Sequence, residues 1–162
     1  TVISVRYWRE KIMKISLGCD EAAYQLKETS KQHLQEAGQE VIDNVVGEGE
    51  VELYPDVAVR TCKKVTDGTC DRGILVCGTG IGMAMTANKV PGIRAAVCHD
   101  PFSTERSVLS NDANVMCMGA RVIAPQLALY LLDIWMGLTF KNGPSTPKVE
   151  RIMEYQKEFC GE

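Results

Sequence analysis

Five short apolar runs recur along the chain, at residues 14–18, 40–46, 72–77, 93–98 and 114–118, each rich in Val, Ile, Leu or Met. Runs of this length bounded by turn residues predict buried strands. A helix is predicted after Asp20, a candidate N-cap, with Ala22, Ala23, Leu26, Leu34 and Ala37 inward and a stop at Gly38. Another follows Tyr54-Pro55, carries Val57, Ala58, Cys62 and Val65 inward, and closes at Gly68. Proline opens a further helix over 125–138 that is apolar almost all round, and an amphipathic helix is predicted over 147–159. Strands alternating with helices predict an α/β three-layer sandwich, a five-stranded parallel sheet covered on both faces.

The helix over 125–138 carries Leu127, Leu131, Ile134, Trp135 and Leu138, more apolar surface than one sheet face usually covers. It is expected either to be a deeply buried core helix or to pack in part against another subunit.

The chain's 162 residues suit one domain, placed at 13–162. Residues 1–12 carry Arg6, Arg9, Glu10 and Lys11, lack the apolar stretch of a signal peptide, and read as an extension before a start near Met13. The net charge of −3 is mixed in sign along the chain, so neither nucleic acid nor a membrane surface is an expected partner. Seven cysteines, odd in number and without Cys-x-x-Cys spacing, read as reduced thiols and predict a cytoplasmic protein. His33 and His99 stand apart from any compact ligand cluster, so no metal site is expected. Gly47-Glu48-Gly49-Glu50 reads as a solvated loop.

In an open parallel sheet, ligands bind beyond the carboxyl ends of the strands. Three such ends carry polar or reactive residues: Gly18-Cys19-Asp20-Glu21, Cys77-Gly78-Thr79-Gly80-Ile81-Gly82 and His99-Asp100. The middle one is the richest. Its glycines let successive N–H groups aim at one point before a helix start, an anion cradle. It is neither a dinucleotide fingerprint, which belongs after the first strand with a different spacing, nor a Walker loop, which needs Gly-Lys-Ser/Thr. Cys77, at a strand end and helix mouth, suits a base or nucleophile; a plain core cysteine is the alternative. Asp20 is equally a helix cap, and His99 a strand-end histidine.

Gly18-Cys19-Asp20, Tyr54-Pro55, the run from Gly73 through Gly82, Ala87-Asn88-Lys89-Val90-Pro91-Gly92-Ile93-Arg94 and Asn111-Asp112-Ala113-Asn114 together resemble the type B ribose-5-phosphate isomerases and galactose-6-phosphate isomerases. The resemblance covers about residues 13–158. It implies a Rossmann-like sheet in a homodimer or tetramer whose site is shared between subunits, and cofactor-free aldose–ketose interconversion of a sugar phosphate through a cis-enediolate. On this resemblance Cys77 is the base and Thr79 the hydroxyl that assists it. The N–H groups of Gly78, Thr79, Gly80, Ile81 and Gly82 serve as an oxyanion hole, Asp20 and Asn111 bind sugar hydroxyls, and Arg121 binds phosphate.

Departures from the family pattern bear on the substrate. Glu21 stands where many members have His, and Ser110 where many have the histidine that acts as ring-opening acid; His99 is the candidate substitute acid. The family's Gly-Arg-His-x-x-Arg run appears as Gly143-Pro144-Ser145-Thr146-Pro147-Lys148, in which Lys148 alone keeps a positive charge. By family frequency the expected substrate is ribose 5-phosphate. A four-carbon tetrulose phosphate, which cannot close a furanose, and galactose 6-phosphate are the alternatives. Outside this class stand a non-catalytic sugar-phosphate sensor and a metal-dependent hydrolase built on Asp20, Glu21 and Asp100.

Overall fold

A computed structural model describes residues 11–45 and 52–161; most of the extension at 1–12 and the whole acidic loop at 47–50 lie outside the described residues. The strands are β1 (Lys14–Cys19), β2 (Glu40–Asp43), β3 (Arg72–Cys77), β4 (Ala95–Val97) and β5 (Val115–Gly119). The helices are α1 (Tyr24–Glu36), α2 (Tyr54–Thr66), α3 (Ile81–Ala87), α4 (Pro101–Leu109), α5 (Pro125–Met136) and α6 (Thr146–Cys160). All pairings are parallel, in the order β2-β1-β3-β5-β4.

The period of two along each strand sorts side chains between two cores. Ile15, Leu17, Ile74, Val76, Met116 and Met118 face one layer with Leu26 and Leu34 of α1, Val108 of α4 and the buried stripe of α5. Leu75, Cys77, Val115 and Cys117 face the other, against Val57, Ala58 and Cys62 of α2 and Met83, Ala84 and Ala87 of α3. Strands buried on both faces read as continuous apolar runs for this reason. Among the described residues no helix is long and apolar enough to cross a membrane, and none of the seven cysteines is paired in a disulfide.

Several boundaries differ from expectation, each for a local reason. Asp20 makes no side-chain cap bond; a 3₁₀ turn at Glu21–Ala23 intervenes and α1 starts at Tyr24. β2 ends at Asp43 because Asn44 turns back, its amide donating to Ser16 Oγ at 2.9 Å and Leu17 O at 3.0 Å while Arg60 clamps its carbonyl. β4 begins only at Ala95, because the Arg94 N–H is taken by Asn114 Oδ1 at 2.8 Å. α5 stops at Met136, where the Arg72 guanidinium spans Trp135 O and Leu138 O at 2.7 and 2.6 Å and lies over the Trp135 ring. Ala128, Leu131, Leu132, Ile134, Trp135 and Met136 of α5 are buried within this chain, while Leu127 and Leu138 are half-buried and Tyr130 is exposed. α6 also presents exposed apolar side chains, at Ile152, Tyr155 and Phe159.

Candidate active site

The chain leaves β1 toward β2 on one side and reaches β3 on the other, so a crevice opens between the carboxyl ends of β1 and β3. Asp20 sits there, its N–H donating to Val76 O at 3.2 Å, one residue before Cys77. Cys77 ends β3 with its side chain in the α2–α3 layer, 5% exposed. The 77–82 loop then curls back: Gly80 N–H donates to Cys77 Sγ at 3.0 Å and Ile81 N–H to Thr79 Oγ1 at 3.3 Å.

Two glycines make this curl possible. Gly80 holds φ 77°, in the left-handed region, and a Cβ there would come within 3.0 Å of the Met118 carbonyl carbon. At Gly119, opposite Cys77 on β5, a Cβ would stand 2.7 Å from Thr79 C and 2.8 Å from its Cα and O. The loop therefore rests on the end of β5, and two bonds tie it down: Ala120 N–H to Cys77 O at 2.8 Å and Arg121 N–H to Gly78 O at 3.0 Å. The Arg121 side chain lies along Gly78, its Cδ 3.5 Å and Nη1 3.6 Å from where a Cβ would be.

Burial pushes the Asp20 carboxyl above its ordinary range and the Glu21 charge adds to this, against the backbone N–H groups of Ala22 and Ala23 and the Arg121 charge. Its Oδ1 is buried with no protein partner. His99, at the end of β4, accepts the Gly119 N–H through Nε2 at 2.8 Å. Burial lowers its pKa from 6.5 and the Asp100 charge offsets this only in part, so the ring is neutral with its proton on Nδ1. Cys19, next to Asp20, is pushed up to about 12 by burial and remains a thiol.

The structure thus gathers Asp20, Glu21, Cys77, Gly78, Thr79, Gly80, Ile81, Gly82, His99 and Arg121 at one end of the sheet. It does not bring Ser110 and Asn111 there. They precede β5, whose five residues separate them from Gly119 by roughly 13 Å of strand. Ser110 Oγ accepts from Arg106 Nη1 at 3.3 Å, and the Asn111 amide donates to Arg106 O at 3.0 Å. Lys148 is exposed in the first turn of α6, a helix tied to the chain where Gly92 N–H donates to Gln156 Oε1 at 3.0 Å. Asp100 is not free for a metal, since it caps α4 through the Ser103 N–H at 2.7 Å, and among the described residues no group of three His, Cys, Asp or Glu side chains is placed to hold an ion.

A profile of the ribose/galactose isomerase family matches residues 15–152. The chain belongs to this family. It is an aldose–ketose isomerase acting on phosphorylated sugars. Ribose-5-P isomerase B of Listeria innocua is 49% identical over 146 residues, covering 90% of this chain and 99% of the relative. D-erythrulose-4-phosphate isomerase of Pectobacterium atrosepticum is 47% identical over 148 residues, covering 91% and 97%. The solved structure of Clostridium thermocellum ribose-5-phosphate isomerase B superposes with a TM-score of 0.88 at 41% identity, covering 91% of this chain and 99% of that one. The contacts around the loop add two residues to this end of the sheet. Gly119 is the loop's floor, its Cα against the Thr79 backbone. Tyr54, visible as Tyr54-Pro55, lays its ring across α3, where a Gly82 Cβ would stand 2.8 Å from its Cζ.

Proposed function

We propose that this isomerase interconverts the aldose and ketose forms of a four-carbon sugar 4-phosphate, D-erythrulose 4-phosphate being the ketose, through a cis-enediolate with Cys77 as base. The Cys77 thiolate removes a proton from the carbon beside the carbonyl. The released C–H electron pair becomes the C1–C2 double bond, and the carbonyl oxygen takes up the negative charge. Returning the proton to the neighbouring carbon, with a proton exchanged between the two oxygens, completes the isomerisation. The N–H groups of residues 78–82 stabilise the oxyanion and Thr79 assists. Asp20, whose buried Oδ1 has no protein partner, receives a sugar hydroxyl, and Arg121 holds the phosphate. The chemistry calls for no cofactor. Asn111, the Ser110 position and Lys148 are supplied by a second copy of the chain in a dimer or tetramer, a reading supported by their position beyond the opposite strand ends.

One observation carries the choice of a tetrose: neither Ser110 nor His99, the described residues that are candidates for the family's acid, stands ready to open a ring. Ser110 occupies the position of the family's acid and its hydroxyl accepts from Arg106, while His99 is neutral with Nε2 engaged by Gly119. A tetrose 4-phosphate has O4 esterified and forms no furanose, so it needs no opening. Ribose 5-phosphate is the second reading, favoured by the name of the Listeria innocua relative. Purified protein assayed side by side on D-erythrulose 4-phosphate, ribose 5-phosphate and galactose 6-phosphate tests the choice. The tetrulose should lead in kcat/KM by about 10²-fold, the scale of one missing general acid. Equal or faster turnover of ribose 5-phosphate would refute it.

A further inference from the structure

We infer that His99 is a positioning residue: by accepting the Gly119 N–H it fixes the strand end on which the 77–82 loop rests. The inference builds on the isomerase reading of that loop. β4 ends at Val97, and the Cys98 N–H makes a last ladder bond to Cys117 O at 2.9 Å. Beyond that point the partly buried Gly119 N–H bonds not to a neighbouring strand's carbonyl but to His99 Nε2 at 2.8 Å. Removing that acceptor orphans the donor at a residue whose Cα abuts the Thr79 backbone. The next two N–H groups, of Ala120 and Arg121, hold Cys77 O and Gly78 O. A shift of Gly119 is therefore passed to the thiol, the threonine and the oxyanion donors together.

The same geometry argues against His99 as the acid that replaces the histidine absent at position 110. A proton on Nε2 would face the Gly119 N–H donor to donor, so the imidazolium loses this bond. The charge acting on the ring is that of Asp100, itself held by the Ser103 N–H; the reactive and charged groups of the adjoining strand ends are Cys77 and Arg121. Burial outweighs Asp100 and keeps the ring neutral. The bond is therefore intact above pH 6.5 and is lost as pH falls through the depressed value.

Two substitutions separate positioning from acid chemistry. His99→Gln offers a carbonyl oxygen where Nε2 stood but cannot be protonated near neutrality; His99→Leu offers nothing. With the substrate that wild type turns over best, His99→Leu should lose about tenfold in kcat with KM within about twofold, while His99→Gln should stay within about threefold of wild type. The acid-side fall in kcat below pH 6.5 should be absent in His99→Gln. The Gly119 amide resonance, followed by NMR, should titrate with an apparent pKa below 6.5 in wild type and be flat in His99→Gln. A His99→Gln enzyme as impaired as His99→Leu would overturn the proposal in favour of an acid, and wild-type kcat in His99→Leu would overturn it outright. If His99→Leu does not fold, the His99→Gln pH profile decides alone: a retained acid limb overturns the proposal. If wild type isomerises none of the sugar phosphates, the functional reading fails while the Gly119 titration still decides the positioning role.

Discussion

The Gly80 N–H donates to the Cys77 sulfur across 3.0 Å, closing a four-residue curl that begins at the end of β3. Gly80 is the only residue type that fits there at little cost, given φ 77° and the Met118 backbone against its Cα. The curl therefore fixes both the thiol and the row of N–H groups around it before any substrate arrives, which is the preorganisation that oxyanion stabilisation needs.

Cys77→Ala should abolish isomerisation, a loss of about 10³-fold or more if the sulfur is the proton-transferring base. Cys77→Ser should retain only a trace, since its hydroxyl is a far weaker acid than a thiol. The fold should survive both, with about 1 kcal/mol of stability lost for the small volume change in the α2–α3 layer. Circular dichroism and thermal melts would confirm folding, and turnover by folded Cys77→Ala at a rate near wild type would rule out the role.

Two glycines in contact with the loop should respond in opposite ways. Gly119→Ala places a Cβ 2.7 Å from the Thr79 backbone, which has no flexible side chain to move aside, so about 2 kcal/mol of stability and most activity should go. Gly78→Ala meets only the Arg121 side chain at ordinary contact distance, so its melting temperature should stay close to wild type while KM for the phosphorylated substrate rises. Equal destabilisation of the two variants would contradict this.

The fold was legible because its signals are local. Strands buried on both faces must be apolar throughout, and Gly38 and Gly68 mark helix ends with φ 83° and 79°. Boundaries set by distant side chains were not legible: nothing in the run 40–46 says that Asn44 will bond back to β1, or in 125–138 that Arg72 will cap α5 from β3. That Cys77, Asp20 and Arg121 lie at one end of the sheet was readable from strand-end position and family pattern. The strand-end place of His99 was legible, but its bond was not, because the Gly119 N–H that it accepts comes from a strand that follows it in sequence but adjoins it in space. The separation of Ser110 and Asn111 from Cys77 follows from parallel strands, whose preceding and following loops lie at opposite ends.

A buried charge cluster beside the crevice should set the acid stability of the fold. Lys27 is 2% exposed, bonds Asp43 at 2.7 Å and also Glu28, and stands 4.5 Å from the centre of the Tyr24 ring. Asp43→Asn leaves this ammonium poorly compensated and should cost about 3 kcal/mol. Lys27→Met should cost less, because Asp43 keeps Lys31 at 2.9 Å. Burial alone would raise the Asp43 pKa, but the hydrogen bonds from Lys27 and Lys31 prevail and hold it below 3.8. Its contribution is thus present in full above pH 3.8 and lost as pH falls through the depressed value. Urea unfolding of wild type and Asp43→Asn should differ at pH 7 and converge in strong acid; a constant difference would contradict the linkage.

Asp20 should show the reverse coupling, because the crevice holds its carboxylate at a cost to the fold. Its pKa is raised by burial above all, and Oδ1 has no protein partner, so at neutral pH the ionised group opposes folding. Asp20→Asn removes that charge without removing volume, and its melting temperature at pH 7 should be no lower than wild type. The folded wild type binds a proton more readily than its unfolded chain, so any advantage of the variant should shrink as pH falls toward 3.8. Binding should suffer instead: a carboxylate that accepts a sugar hydroxyl becomes an amide that accepts more weakly, and KM should rise about tenfold with a smaller change in kcat. A variant that melts well below wild type would show that the Asp20 charge is structural, since a residue kept for its ligand is expected to leave the empty protein as stable as before or more so.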